Sequence, residues 1–233
     1  MESLEVLANN LANSTTAGFK ADRESYSLYV SPEANYGGPL PLTVPVIERN
    51  WTDFTQGPLQ ETGKPTDLAL AGRGFFALGG TDGPVYSRSG SFRLNAAGAL
   101  QSGDGRPVLD TLSRPIQLQP NAEARITGSG EIFQNGAPVA QLQIVDFARP
   151  EVLSKKGHSL FVLPKGATQA DQPAPARNVQ VNQGYTEAPN TQAAESAVRM
   201  IHVLRQFESL QRAMAMAGEM NQKVLDEVVK SHG

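Results

Sequence analysis

Residues 191–229 read TQAAESAVRMIHVLRQFESLQRAMAMAGEMNQKVLDEVV, with no proline and a single glycine, Gly218. Proline and glycine are the residues that most strongly oppose a helix interior. Their near absence over this length predicts one long α-helix, which would extend roughly 55 Å at 1.5 Å per residue. Such a helix separates the end of the chain from its middle, where frequent glycine and proline predict short strands.

Two rows of mostly apolar residues repeat every seven positions along the predicted helix, and the rows are offset by three. This is the a/d pattern of a coiled coil, with polar Asn221 at one a position. The alternative is an amphipathic helix that lies on the chain's own β domain, but a small domain cannot easily cover so long a pattern. The first row is Met200, Phe207, Met214, Asn221 and Val228, and the second is Val203, Leu210, Ala217 and Val224.

The start of the chain carries a second, shorter helical pattern. Leu4, Leu7 and Leu11 have helical spacing, and Gly18 follows as a helix stop. We therefore expect an N-terminal helix within residues 1–22.

The middle of the chain predicts extended structure followed by a β domain. Prolines exclude a long helix from residues 23–66, which we interpret as an extended connecting segment. Short apolar runs separated by turn residues fill residues 67–165, and Asn135-Gly136 is the strongest hairpin signal. The predicted strands are Val44–Ile47, Trp51–Phe54, Asp67–Ala71, Phe75–Leu78, Val85–Arg88, Ser91–Leu94, Ile116–Leu118, Ile132–Gln134, Val139–Phe147 and Leu160–Leu163.

Residues 166–190 are polar and rich in proline, and they predict a linker to the last helix in residues 191–233. The fold class that follows is α+β. Its central domain would be a mostly antiparallel β structure, with a helix at each end of the chain.

The composition of the 233 residues excludes several classes of function. There is no cysteine, so a disulfide framework or a thiol nucleophile is impossible. A net charge of −3 argues against nucleic acid as a partner, because phosphate binding needs a basic face. No stretch approaches the ~20 apolar residues that span a bilayer, and the first residues lack the pattern of a cleavable secretion signal.

Three blocks of sequence together form a specific pattern. They occupy the start, the centre and the end of the chain, in that order. The blocks are LEVLANNLAN at 4–13 with TAGFK at 16–20; QGPL at 56–59, TGKP at 62–65, DLAL at 67–70, GRGFF at 72–76, YSRSGSF at 86–92 and LN at 94–95; and Glu195, RMI at 199–201, RQFE at 205–208 and VL at 224–225.

This pattern resembles the bacterial flagellar basal-body rod and hook family. The resemblance implies that the N- and C-terminal helices pack together, so that Leu4, Leu7 and Leu11 would meet the C-terminal rows and the two helices would form a coiled-coil stalk. The resemblance implies a structural subunit that assembles with copies of itself and with other rod proteins into the tube that transmits torque from motor to hook. It also implies export through the flagellar type III apparatus, without a cleaved signal, to a periplasmic rod. Residues 51–57 look most like the proximal-rod subunit, with a distal-rod or hook-type subunit as the alternative.

The motif residues of the first two blocks have structural interpretations. The amides of Asn9, Asn10 and Asn13 can hydrogen-bond neighbouring backbone at the helix end, close to Gly18 and Phe19. A frayed terminus is the alternative. In the second block, Gly72 and Gly74 predict a turn between strands, after which Phe75 and Phe76 point to opposite faces. A phosphate-cradling loop is disfavoured there because no helix follows.

No catalytic constellation stands out. His158, His202 and His232 are scattered without ligand spacing, and no Gly-x-Ser-x-Gly elbow occurs. We therefore expect no enzymatic activity, no cofactor, no metal and no small-molecule substrate. The competing hypothesis is an enzyme or carbohydrate-binding β domain with a helical dimerisation stalk.

The predicted N-terminal helix is short compared with the C-terminal one, and a helix of about a dozen residues is marginal in water. Members of the resembled family carry about 25 further residues before the first block. We therefore expect Met1 to be an internal methionine and the N-terminal helix to be truncated. The alternative is a lineage with a shortened helix.

Overall fold

A computed structural model describes residues 2–30, 43–120, 122–157 and 159–231. Of residues 2, 26–30, 43–49, 217 and 219–231 it describes the backbone alone. Residues 31–42 of the predicted connecting segment, together with His158 and His232, lie outside the described residues.

The described chain contains two α-helices, α1 at Glu2–Ala12 and α2 at Ala193–Ser231. Most of the remaining elements are strands in several sheets, so the predicted fold class is wrong in one respect: no N-terminal coiled-coil stalk is formed by the described residues. The physical reason is length. At 1.5 Å per residue, α1 with 11 residues spans about 16 Å and α2 with 39 residues about 58 Å, so α1 can lie along only the first part of α2.

Seventeen strands form the rest of the described fold, and every strand pairing is antiparallel. The strands are β1 Asp22–Val30, β2 Thr43–Thr52, β3 Leu59–Glu61, β4 Leu68–Ala71, β5 Phe75–Leu78, β6 Val85–Ser87, β7 Phe92–Leu94, β8 Leu100–Ser102, β9 Ala124–Ile126, β10 Glu131–Gln134, β11 Ala137–Gln141, β12 Ile144–Asp146, β13 Ser154–Lys155, β14 Leu160–Val162, β15 Ala174–Pro175, β16 Gln180–Gln183 and β17 Tyr185–Glu187. Short 3-10 turns lie at Pro150–Val152 and Gln169–Asp171.

The largest sheet has six strands in the order β13-β14-β6-β5-β12-β15, and β9, β10 and β11 form a three-stranded sheet. The pairs β1–β2, β3–β17, β4–β16 and β7–β8 complete the architecture. Residues Ile116–Leu118, for which a strand is predicted, form an isolated bridge between Ala99 and Gln117 instead of a strand. The predicted strand Val139–Phe147 is divided between β11 and β12, because β11 pairs with β10 and β12 pairs with β5.

The core lies on both faces of the six-stranded sheet. Phe76 belongs to the larger cluster of buried aliphatic side chains, and Phe75 belongs to a second cluster with Phe147 and Phe161. The ring of Phe75 meets those of Phe147 and Phe161 edge-on, with centroids 5.8 and 5.7 Å apart. Adjacent phenylalanines thus serve opposite faces, as the alternation of a strand requires.

The predicted hairpin at Asn135-Gly136 is confirmed. Asn135 has φ 51° and Gly136 has φ 79°, and they join β10 to β11 with Gln134 paired to Ala137. Positive φ at both central residues defines the turn type that matches the twist of a two-residue hairpin.

Residues 166–190, for which the sequence predicts a linker, contain β15, β16 and β17. β16 pairs with β4, and β17 pairs with β3. Val181 of β16 is buried in the larger core cluster. The chain therefore returns along the strands by which it enters the β structure, and this return brings the start of α2 next to the end of α1.

Candidate functional site

The face that α1 covers on α2 is short. Leu7 is buried, Leu4 and Leu11 are half-buried, and a groove lined by Leu7 and Val203 separates the two helices. On the α2 side the groove extends from Thr191 to Gln206. The N-terminal row of leucines therefore meets only the beginning of the predicted seam.

Beyond Gln206 the seam residues of α2 are exposed. Met200 and Val203 are half-buried, whereas Phe207 is 44%, Leu210 62% and Met214 73% exposed. Leu204 is exposed as well. We call these four exposed side chains the apolar strip: Leu204, Phe207, Leu210 and Met214. Ala217, Asn221, Val224 and Val228 continue the heptad on the helix backbone, but their side chains lie outside the description.

The asparagines of the first block tie the end of α1 to the start of β1. Asn10 is buried, and its amide donates to the Asp22 carbonyl at 2.8 Å and accepts from the Asp22 N–H at 2.9 Å. Asn13 donates to the Asn9 carbonyl at 2.9 Å. The amides thus hydrogen-bond neighbouring backbone at the helix end within one chain.

Gly18 and Phe19 lie where the segment after α1 crosses the β structure. Gly18 has φ +68°, and a Cβ added there would be 2.2 Å from the backbone nitrogen of Ser89. Its N–H donates to the Glu187 carbonyl at 2.7 Å. Phe19 is buried under the ammonium of Lys155, which lies 4.6 Å from the ring centroid.

Next to this crossing, one buried carboxylate collects donors from three separate segments. Glu187 Oε1 accepts from Lys20 Nζ at 2.5 Å and from the Gly57 N–H at 2.9 Å. Glu187 Oε2 accepts from Arg88 Nε at 2.7 Å. The side chains of Lys20 and Glu187 are 0% exposed and that of Arg88 is 5% exposed.

Arg88 also holds the Gly72-Arg-Gly-Phe-Phe loop between β4 and β5. It donates to the carbonyls of Gly72 at 2.9 Å, Gly74 at 2.6 Å and Leu70 at 3.2 Å. The predicted turn is present. It presents carbonyl oxygens to a cation, whereas a phosphate-cradling loop presents N–H groups to an anion.

Asn190 secures the approach to α2. Its side-chain oxygen accepts from the Ala21 N–H at 2.8 Å, and its amide donates to the Asp53 carbonyl at 2.7 Å. The residue therefore bridges the segment after α1 and the segment after β2, three residues before α2 begins.

Two lysines near this crossing have lowered pKa values. Burial lowers the pKa of Lys20, although the charge and hydrogen bond of Glu187 act in the opposite direction. Burial also lowers the pKa of Lys155, against a hydrogen bond to Asp22. A buried cation is costly unless it is paired, and here each lysine has an acidic partner.

The three-block sequence pattern includes Lys20 and Arg88 only as motif residues, and it gives no indication of Glu187 or Asn190. Their partners are distant in sequence, so no local spacing reveals the cluster. Among the described residues, no three histidine or acidic side chains are grouped so that they could hold a metal ion. Neither helix, as far as it is described, is both long and apolar enough to cross a membrane.

Two segments of the chain match known families. Residues 69–134 match the family described as flagellar hook protein FlgE/F/G D1 domain. Residues 182–227 match the family described as flagellar basal body rod FlgEFG protein C-terminal. The first match covers most of β4, the Gly72–Phe76 segment and the strands from β5 to β10, and the second covers Glu187 and most of α2.

Curated relatives extend the similarity to nearly the whole chain. The chain is 31% identical to the flagellar basal-body rod protein FlgF of Caulobacter vibrioides, over 97% of this chain and 92% of the relative. It is 30% identical to FlgF of Mesorhizobium japonicum, over 99% and 91%. It is also 30% identical to FlgG of Bacillus subtilis, over 96% and 92%. With this identity over this coverage, the chain belongs to the family of flagellar basal-body rod proteins.

Proposed function

We propose that this structural subunit of the flagellar rod assembles by covering the apolar strip of α2 with helices of neighbouring rod subunits, both copies of itself and other rod proteins. The observation that carries the proposal is the exposure of Phe207, Leu210 and Met214 on one side of a 39-residue helix. Large exposed apolar patches on a soluble chain mark interaction sites.

The strip continues a face that is already used for helix packing. Val203 contacts the groove beside α1, and Leu210 lies seven residues further along the same row. Beyond Gln206, α1 no longer lines that face. A second helix that takes the place of α1 there would bury the strip, and the predicted seam residues Ala217, Asn221, Val224 and Val228 would extend the same surface.

Two exposed ion pairs lie on α2. Arg199 pairs with Glu195 at 2.7 Å, and Arg212 lies 3.8 Å from Glu208. Such exposed pairs at i,i+4 contribute little to stability, about 0.3–0.5 kcal/mol each. They therefore do not substitute for the missing cover of the strip.

Within the family we propose the proximal-rod subunit, with the distal-rod subunit as the alternative, a location in the periplasmic rod, and export by the flagellar type III apparatus. The resemblance of residues 51–57 supports the proximal assignment. Relatives named FlgF and relatives named FlgG match at similar identity, 31% and 30%. The assignment is tested by expressing the chain in a strain that lacks FlgF and in a strain that lacks FlgG. The strain that regains swimming shows which of the two proteins the chain replaces.

The assembly role is tested with Leu210→Asp in cells whose own gene is deleted. A charge buried in a helix seam is costly unless it is paired, so we expect swimming to be abolished while the thermal melt of the purified chain is unchanged. Ser209→Asp is the matched control, because 209 lies roughly opposite Phe207 on the helix at 3.6 residues per turn. Normal swimming with Leu210→Asp would refute the proposal.

A further inference from the structure

At Glu187 the segment that follows α1 and the segment that precedes α2 are both tied to the β structure through buried charge. Lys20 follows the last residue of α1 by eight positions, and Glu187 precedes the first residue of α2 by six. Arg88 connects the same carboxylate to the carbonyls of the Gly72–Phe76 loop. We call Lys20, Arg88, Glu187 and Asn190 the Glu187 joint.

The charges of the joint leave little freedom of arrangement. One carboxylate faces two cations, and both of its oxygens are occupied by donors. One of these cations, Lys20, also donates a hydrogen bond to the Thr55 carbonyl at 2.6 Å. Away from water these interactions are electrostatically strong, and any rotation of one segment would leave a buried charge unpaired.

The backbones at the joint are also in direct contact. A Cβ added to Gly57 would lie 2.0 Å from the Ala188 carbonyl oxygen, and one added to Gly18 would lie 2.2 Å from the Ser89 nitrogen. No side chain therefore separates these segments as a spacer. The Asn190 amide joins the same crossing at 2.7–2.8 Å, between Ala21 and Asp53.

We propose that the Glu187 joint fixes the direction in which α1 and α2 leave the β structure, so that Lys20, Arg88, Glu187 and Asn190 are positioning residues for the apolar strip. The part of this inference that concerns the strip rests on the proposed function. The structural part does not depend on it: the joint holds the two helices in one orientation relative to the β structure. For the strip, this means that it faces the next subunit in one direction.

Lys20→Met separates orientation from stability. The substitution removes one of two cations and leaves the Glu187–Arg88 pair with its hydrogen bonds, so no uncompensated charge remains buried. The chain has no cysteine, which allows spin labels at Thr81→Cys and Ser209→Cys to report the distance between β structure and α2. A second pair, Glu5→Cys with Thr81→Cys, reports on α1.

We expect one narrow distance distribution for each pair in the otherwise unchanged chain, and broadened or shifted distributions with Lys20→Met. Lys156→Met, which removes an exposed cation outside the joint, should leave both distributions unchanged. Should Lys20→Met fail to melt cooperatively, Asn190→Ala carries the same test, because it removes the uncharged tie and buries no charge. Unchanged distributions in a folded joint variant would overturn the inference.

Swimming assays separate this inference from the proposed function. Joint variants that fold and reach normal abundance should swim poorly, whereas Lys156→Met should swim normally. If Leu210→Asp swims normally but the distances change in the joint variants, the assembly role of the strip fails and the joint stands. If the distances do not change while Leu210→Asp is immotile, the joint fails and the assembly role stands.

Discussion

The Glu187 joint and the apolar strip of α2 are opposite in kind. In the joint, charged side chains are buried and each finds a partner inside the chain. In the strip, apolar side chains are exposed and no described element of the chain covers them. The two regions therefore differ in completeness: the joint is finished within the chain, whereas the proposed function assigns the cover of the strip to neighbouring subunits.

The largest effect should come from removing the shared carboxylate. Glu187→Gln leaves Lys20 and Arg88 buried around a neutral amide, and breaking a buried pair in this way costs about 3–5 kcal/mol. We expect the urea midpoint of the purified chain to fall accordingly. Glu61→Gln, on the exposed side of the partner strand β3, is the control and should change stability little. A midpoint for Glu187→Gln equal to that of the control would contradict the assignment of the joint as a finished charge cluster.

Two leucines, one in the core and one in the strip, should respond differently to truncation. Leu70 is 0% exposed and Leu210 is 62% exposed. Leu70→Ala should therefore lower the free energy of unfolding by about 3 kcal/mol through lost burial and cavity formation. Leu210→Ala should change it by less than about 0.5 kcal/mol. Denaturant titration of both variants measures the difference, and a large loss with Leu210→Ala would show that the strip is already covered within the free subunit.

Two glycines with nearly the same backbone angle isolate the effect of close packing at the joint. Gly18 has φ +68° and touches the backbone of Ser89, whereas Gly63 has φ +69° and open space where a Cβ would be. Gly63→Ala should cost only the strain of a left-handed residue, about 1 kcal/mol. Gly18→Ala should cost more, because two backbones must also separate. Equal melting temperatures for the two variants would mean that the crossing is looser than its geometry indicates.

The smallest effect should be an acid-dependent one, outside both regions. Hydrogen bonds from Thr168 lower the pKa of Asp171, and Arg149 adds to them against the opposing effect of burial. The folded state therefore binds this proton less readily than the unfolded state, whose reference value is 3.8. The resulting stability is present above that pH and is lost as pH falls through the folded pKa.

Unfolding of the chain and of Asp171→Asn between pH 5 and pH 2 (about the span of carboxylate titration) measures this contribution. The variant should lose less stability on acidification than the unchanged chain. Asp82→Asn, at an exposed carboxylate, should leave the acid dependence as it is. An identical pH profile for all three would show that Asp171 does not contribute.

Local signals predicted the local features well. The hairpin at Asn135-Gly136 and the opposite placement of Phe75 and Phe76 depend on neighbouring residues alone. The long helix was predicted at 191–229 and is found at Ala193–Ser231, because proline and glycine mark its limits. The prediction of a coiled-coil stalk was wrong because a heptad indicates an apolar seam but does not say what covers it.

Features that join distant parts of the chain escaped prediction. The pairing of Gln180–Gln183 with Leu68–Ala71 connects segments more than a hundred residues apart, and the polar composition of β16 gives no strand signal. Glu187 is one acidic residue among many in the sequence. Its role depends on Lys20 and Arg88 arriving from two other segments, which only the tertiary structure reveals.

The pairing of β3 with β17 and of β4 with β16 has an architectural consequence. The strands that lead into the β structure are hydrogen-bonded to the strands that lead out of it. The segment between residues 72 and 179 thus leaves and returns at one place in the fold, and its own Arg88 and Ser89 contact the crossing beneath the two helices. Insertions at sites where the chain ends lie close together are well tolerated. Residues added to an exposed loop of that segment, such as the hairpin at Gly136, should therefore leave the two helices and the crossing in place.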